Sequence, residues 1–266
     1  MYNRNIGLGD KRVIDIHSHI LFGVDDGPKN IEESLELLSL AVQEGITEII
    51  STSHVLHPSF NVEMDDVVKQ VSALQHLIHT EGLPLTLHTG HEIRINENVP
   101  DMLQQKKLLP LANSRYVLIE LPSNSVPTYT KHLLLQLLEL GYTPIIAHPE
   151  RNKAIAENPD KLKQLVELGA FAQITAGSVA GHFGKSIQKT SLQLIEANLV
   201  HTYGSDVHSR DVRPYLFDAG LTYLEKHKHA DTVEVFLENN ARILKNDSFI
   251  VFEPQLIREK KWWQIF

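Results

Sequence analysis

Val13-Ile14-Asp15-Ile16-His17-Ser18-His19 is the stretch on which the reading of this chain turns. Its apolar character is that of a β-strand. Successive strand side chains point to opposite faces, so His17 and His19 share one face and can grip a single ion. The same event recurs along the chain: an apolar strand ends and a His, Asp or Glu stands at its tip. The recurrences are Ser53-His54, Gly90-His91-Glu92, Ile119-Glu120, Ala147-His148 and Ser205-Asp206-Val207-His208. One His pair is weak evidence of a metal; ligand-type residues at strand tip after strand tip point to a metal cluster.

Working outward, the pattern is strand, ligand-bearing loop, helix, repeated. Strands are predicted at residues 13–17, 47–52, 85–89, 116–121, 144–147, 172–175 and 200–203. Most are near-continuous apolar runs, as expected of strands covered on both faces. Amphipathic stripes predict helices between them: Ile31, Leu35, Leu38 and Val42; Val67, Val71, Leu74 and Ile78; Leu133, Leu137, Leu138 and Leu140; Leu162, Leu165, Val166 and Leu168; and Leu192, Ile195 and Leu199. Asn30 followed by Glu33 resembles a capping box, and Gly45, Gly141 and Gly169 stop helices. Alternating strands and helices imply parallel strands with right-handed crossovers. The fold class is therefore α/β, and about seven such units predict a (β/α) barrel.

Composition narrows the chemistry. The chain has 266 residues, enough for one large domain; 42% are hydrophobic and 22% charged. A net charge of −8 argues against a nucleic-acid binder. There is no cysteine, which excludes disulfides, thiolate zinc sites, iron–sulfur clusters and a cysteine nucleophile. No apolar run approaches the ~20 residues needed to span a bilayer, and the N-terminus lacks a signal-peptide core. A cytoplasmic location is expected. Residues 1–12 read as a leader, 13–250 as the catalytic domain and 251–266 as a tail. The tail carries Lys260-Lys261-Trp262-Trp263, which suits a peripheral membrane contact or packing onto the barrel or another subunit.

In such barrels the active site gathers at the C-terminal ends of the strands. His17, His19, His54, Glu92, Glu120, His148, Asp206 and His208 all lie at such ends, and Asp26 follows the first strand. Imidazoles and carboxylates without thiolates suit Zn²⁺, Mn²⁺ or Fe²⁺. One ion takes four to six ligands, so this set implies two or three ions, with Glu92 the best-placed bridge. Ions ~3.5–4 Å apart can grip both sides of an in-line displacement, the chemistry of phosphoester hydrolysis. Arg151 and Arg213 follow His148 and His208 and offer paired donors to phosphate oxygens. The alternative for each is a structural ion pair with Glu150 or Asp211. His57 is a possible substitute for His54 and His91 a possible support for Glu92, and the alternative for Asp26 is that it and Asp25 simply shape the turn before Gly27. Gly184-Lys185-Ser186 lacks the upstream glycine of a phosphate loop and more simply opens a helix.

These motifs, with Val24-Asp25-Asp26-Gly27, Gly90-His91-Glu92-Ile93-Arg94-Ile95, Ile145-Ile146-Ala147-His148-Pro149-Glu150-Arg151 and Gln173-Ile174-Thr175-Ala176-Gly177-Ser178, resemble the PHP (polymerase and histidinol phosphatase) superfamily. Within it the chain is similar to bacterial manganese-dependent protein-tyrosine phosphatases of capsule and exopolysaccharide synthesis, of the type found in Bacillus and related Firmicutes. The likeness runs from about Val13 to Arg242. It departs at His91, where a Gln or Met is expected. The resemblance implies a distorted (β/α)7 TIM-like barrel with three manganese ions, held by His17, His19, Asp26, His54, Glu92, Glu120, His148, Asp206 and His208. It implies phosphate binding by Arg151 and Arg213, and hydrolysis of phosphotyrosine on a bacterial tyrosine kinase by metal-activated hydroxide. Asp211 and His208 are the candidates for a general acid. The rival readings are a small-metabolite phosphatase of the histidinol-phosphate type and a regulatory module that docks on a kinase. A homo-oligomer is possible on either.

Overall fold

The computed structural model describes residues 12–257; the leader up to Lys11 and tail residues 258–266 lie outside them. Nine strand segments are all paired in parallel: β1 (Ile14–Ser18), β2 (Glu48–Ser51), β3 (His54–Val55), β4 (Thr86–Thr89), β5 (Glu92–Arg94), β6 (Tyr116–Glu120), β7 (Thr143–Ala147), β8 (Phe171–Thr175) and β9 (Thr202–Gly204). Two pairing groups result, β1-β2-β4 and β3-β5-β6-β7-β8-β9. They belong to one wall, because the predicted strands 47–52 and 85–89 are each followed, after a break, by a short segment that was not predicted. β3 resumes β2 after Thr52-Ser53, and β5 resumes β4 after Gly90-His91. The Glu92 amide spans the break, donating to the Thr52 and Ser53 carbonyls at 3.1 and 3.2 Å. Gly90 is required there: a Cβ would stand 3.0 Å from Ile50 Cγ2 and 3.3 Å from the Ser51 carbonyl. The ring closes on the other side through a Ser18–Val207 bridge and the bond from the Asp206 amide to the His17 carbonyl at 2.7 Å. Seven strand paths thus form the expected distorted (β/α)7 barrel.

Around it run α1 (Ile31–Gln43), α2 (Met64–Thr80), α3 (Val99–Gln104), α4 (Thr130–Glu139), α5 (Lys153–Glu157), α6 (Asp160–Glu167), α7 (Ala176–Ala180), α8 (Lys185–Glu196), α9 (Phe217–Lys226) and α10 (Ala230–Lys245). The Asn30 side chain caps α1 by accepting from the Glu33 amide at 2.9 Å, as the capping pattern predicts. The α2 stripe is buried as read, on Val67, Val71, Leu74 and Ile78. In α1 the buried face is instead Ser34, Leu37, Leu38 and Ala41, and Leu140, just past the end of α4, is exposed. Small and polar residues such as Ser34 and Thr130 fit beneath neighbouring elements, so the largest apolar side chains alone misplace the face. Gly184-Lys185-Ser186 opens α8, as expected.

The last two helices were not predicted, because buried Asn239 and Asn240 interrupt the apolar stripe of α10. Those amides have partners: Asn240 Nδ2 donates to the carbonyls of Ile14 and Tyr203 at 2.8 and 2.7 Å, tying α10 to β1 and β9. Beyond α10, Phe249 packs against Tyr116 and Phe171, with ring centroids 4.4 and 4.7 Å away. The expected domain end at 250 therefore falls just after a core residue. Val251, Phe252 and Leu256 are exposed, while the Gln255 amide holds the Ala197 carbonyl at 2.8 Å. Among the described residues no helix is long and apolar enough to cross a membrane.

Candidate metal centre

The predicted ligands stand at or near the C-terminal ends of the strand paths. His17 is in β1, His54 opens β3, Glu92 opens β5, and Glu120 is the last residue of β6, on the face of Tyr116 and Leu118. His148 directly follows β7, and Asp206 and His208 follow β9. Apart from those of His148, their donor atoms fall into three groups, each within 4.8 Å: His19, Asp26, His54 and His208; His17, His19, Glu92 and Asp206; and His54, Glu92 and Glu120. Glu92 belongs to two groups, the place of a bridging carboxylate. Its Oε2 lies 3.4, 3.3 and 3.1 Å from His17 Nε2, His19 Nε2 and His54 Nδ1. Its Oε1 takes a hydrogen bond from His148 Nε2 at 2.7 Å.

The orientation of the rings is set from behind. His17 Nδ1 faces Gln173 Oε1 at 2.9 Å, His19 Nδ1 faces Asp25 Oδ2 at 3.0 Å, and His208 Nδ1 faces the Asp206 carbonyl at 3.0 Å. A ring that donates from Nδ1 turns the lone pair of Nε2 inward, the arrangement that supports a metal-binding imidazole. His17 Nε2, His19 Nε2, His54 Nδ1 and Asp206 Oδ1 are buried and have no hydrogen-bond partner. Buried polar atoms without partners are costly, and these converge on one another. The donor set and its orphaned atoms fit divalent cations with nitrogen and oxygen preferences.

Two site residues carry unusual backbone. His148 (φ +34°) and Asp206 (φ +53°) are left-handed without being glycine, which is sustained only where surroundings impose it. For Asp206 the brace is Asp15, fully buried, which accepts from the Ser205 amide at 2.9 Å and from Ser205 Oγ at 2.5 Å. Asp206 Oδ2 then accepts from both Arg151 and Arg213, while Oδ1 is left facing His17. Neither arginine takes the alternative partner considered from sequence. Glu150 instead accepts from Ser178 Oγ at 2.6 Å and the Thr175 amide at 3.2 Å, and Asp211 is exposed.

Charges in this centre are strongly coupled. Burial works against the ionised forms of Glu92 and Asp206, yet His17 and His54 hold the first, and Arg151 and Arg213 the second, well below the usual carboxylate range. Burial pushes His54 and His148 down to about 4, leaving neutral imidazoles, the form that binds metal. His17 and His19 are drawn upward by Glu92, Asp206 and Asp25 against the cost of burial, so cation binding there displaces protons. Burial and the charge of Glu92 raise Glu120, with Arg94 at 2.9 Å opposing.

Arg151, Arg213, His148 and Glu120 border a cavity of about 280 Å³ that opens to the surface over the donor groups. Residues 13–245 match the family described as capsular polysaccharide synthesis, CpsB/CapC. The chain belongs to the CpsB/CapC family. The tyrosine-protein phosphatase YwqE of Bacillus subtilis strain 168 is 39% identical over 254 residues, covering 96% of this chain and 100% of that one. The tyrosine-protein phosphatase CpsB of Streptococcus pneumoniae is 32% identical over 238 residues, covering 87% and 98%. A chain from the crystal structures of these two proteins, described as unique metal-dependent tyrosine phosphatases, superposes with a TM-score of 0.90 at 40% identity, covering 92% of this chain and 100% of that one.

The structure brings eight of the nine candidate ligands into the donor groups, with His148 joined to them through Glu92 Oε1; Asp26, His54, Glu92, Glu120, His148 and both arginines line the cavity. His57 does not replace His54; it stacks on it, with centroids 4.7 Å apart. His91 does not support Glu92, because its buried ring accepts from the Leu109 amide at 3.1 Å. Sequence reasoning missed Asp25 and Gln173 as the groups that orient His19 and His17, and Arg94 as the partner of Glu120. Asp25 was visible as an acid six residues after His19, but the turn that returns it to that ring was not.

Proposed function

We infer that this chain is a metal-dependent protein-tyrosine phosphatase, a hydrolase that works without cysteine, and we propose that manganese occupies its centre. The observation that carries the reading is the gathering of three donor groups beside Arg151 and Arg213, two arginines that share the carboxylate of Asp206 and line an open cavity. His17, His19, Asp26, His54, Glu92, Glu120, His148, Asp206 and His208 would hold two or three ions. When bound, such ions neutralise phosphoryl oxygens and lower the pKa of water so that it can attack phosphorus.

The side chains of this protein do the rest. Arg151 and Arg213 present guanidinium donors to the phosphoryl oxygens, where charge accumulates as phosphorus is attacked. Asp206 keeps both guanidiniums aimed from one side; the buried Glu150–Ser178 bond fixes the turn that carries Arg151. The bond from phosphorus to the phenolic oxygen breaks as one from water oxygen forms, yielding tyrosine and phosphate. The phenol pKa of ~10 makes phenolate a better leaving group than an alkoxide, so a strong general acid is unnecessary.

The physiological substrate proposed is a phosphotyrosine of a bacterial tyrosine kinase in capsule synthesis, met in the cytoplasm; kinship with the CpsB/CapC family supports this. The test is turnover of a phosphotyrosine peptide and of histidinol phosphate by manganese-loaded protein, before and after chelation. Peptide turnover that vanishes on chelation and returns with manganese is expected. Rapid turnover of histidinol phosphate with negligible peptide turnover would instead mark a small-metabolite phosphatase.

A further inference from the structure

Three rings stand nearly parallel beside the donor groups. His54 and His57 have centroids 4.7 Å apart at 22°, His57 and Phe60 5.5 Å at 17°, and His54 and Phe60 5.9 Å at 8°. Only His54 belongs to a donor group. His57 lines the cavity along with Arg151 and Arg213, and it stays partly exposed. Its ring is held in place locally: Nδ1 accepts from the Ser59 amide at 3.2 Å, and the Phe60 amide returns to the His57 carbonyl at 3.2 Å. The metal centre and arginines do not use His57 or Phe60.

Metal donors and arginines grip a phosphoryl group whatever alcohol it is attached to. Beyond the better leaving ability of phenolate, discrimination among phosphate monoesters in binding falls to whatever meets the next atoms out. Phosphoserine presents a methylene there, phosphotyrosine a phenyl ring, and ring stacking is worth more than the same area of aliphatic contact. We propose that His57, backed by Phe60, is the wall on which the phenyl ring of phosphotyrosine stacks, and that this wall adds a binding preference for aryl over alkyl phosphates. The proposal rests on the tyrosine-phosphatase reading and deepens it.

Two measurements test it. The first is the ratio of kcat/KM for a phosphotyrosine peptide to that for the phosphoserine peptide of the same flanks, in manganese-loaded protein. His57→Ser is expected to lower this ratio about three- to tenfold, mainly through KM, the size of effect ring stacking supplies. The inhibition constant of inorganic phosphate and the manganese content should hold, and His57→Phe should restore the ratio. The second is calorimetric binding of phenylphosphonate against methylphosphonate, which needs no turnover; the phenyl preference should shrink in His57→Ser. Phe60→Leu supplies the same comparison should His57→Ser fail to fold. Equal losses on both peptides, or an undiminished phenyl preference, would overturn the proposal. So would manganese loss in both His57→Ser and His57→Phe, since that makes the ring a mere prop for His54. If the unsubstituted protein fails on the phosphotyrosine peptide, the tyrosine-phosphatase reading falls, and the phosphonates still decide the wall.

Discussion

Asp25→Asn should weaken cation binding without unfolding the protein. The Asp25 carboxylate is fully buried. Its Oδ2 lies 3.0 Å from His19 Nδ1 and 3.2 Å from the His54 amide, and its Oδ1 accepts from the Gly27 amide at 3.0 Å. Asparagine has the same shape but one oxygen only. With that oxygen on Gly27, the new NH₂ points at His19 Nδ1 and the His54 amide, donor against donor. His19 must then carry its proton on Nε2, the atom whose lone pair a cation needs. With the amide reversed, Gly27 loses its acceptor instead. Losing such an orienting partner costs roughly 10–100-fold in metal affinity. That is about 1.4–2.8 kcal/mol, the range of one hydrogen bond to a charged group, ~1.5–3 kcal/mol. Calorimetric titration of chelator-stripped protein with Mn²⁺ measures it, with circular dichroism to verify folding. Turnover at saturating Mn²⁺ should recover most of its parental value. A folded Asp25→Asn variant that binds every ion within twofold of the parent would refute the reasoning.

Gly204→Ala should damage the centre through packing alone. A Cβ there would stand 2.8 Å from His17 Cβ and 3.1 Å from Gln173 Nε2, so β1 or β8 must shift. A loss of about 1–3 kcal/mol is expected from such overpacking, together with reduced manganese content; a urea midpoint equal to the parent's would count against it. The metal-stripped protein should also lose stability in acid through His201, whose buried ring is pushed down to about 4 by burial. Unfolded histidine titrates near ~6.5, so the unfolded chain binds the proton first. The contribution is full above that pH and is lost as the pH falls toward 4. Between pH 8 and pH 5 it amounts to about 2 kcal/mol. Urea unfolding at those two pH values should show a smaller drop for His201→Gln than for the parent, and identical drops would exclude the assignment.

The ligand-bearing strand ends, the alternation with helices and the metal chemistry were legible in the chain alone, because each is local. A strand repeats every two residues and a helix about every 3.6, so His17 beside His19, or the α2 stripe, declares itself over a few neighbours. The same locality explains the misses. α10 hides its face because Asn239 and Asn240 are buried polar residues whose partners, the carbonyls of His201, Ile14 and Tyr203, lie far off in the chain. No spacing announces that Gln173 orients His17, or that Asp15 braces Ser205 and so the left-handed Asp206. Those bonds join β1 to β8 and to the end of β9, and they exist only once the ring of strands has closed. Amino-acid order determined which side chains would arrive at the barrel mouth. Tertiary closure decided which lone pairs face inward, which oxygen of Asp206 meets the arginines, and which rings wall the cavity, because direction depends on partners that the chain brings together only by folding.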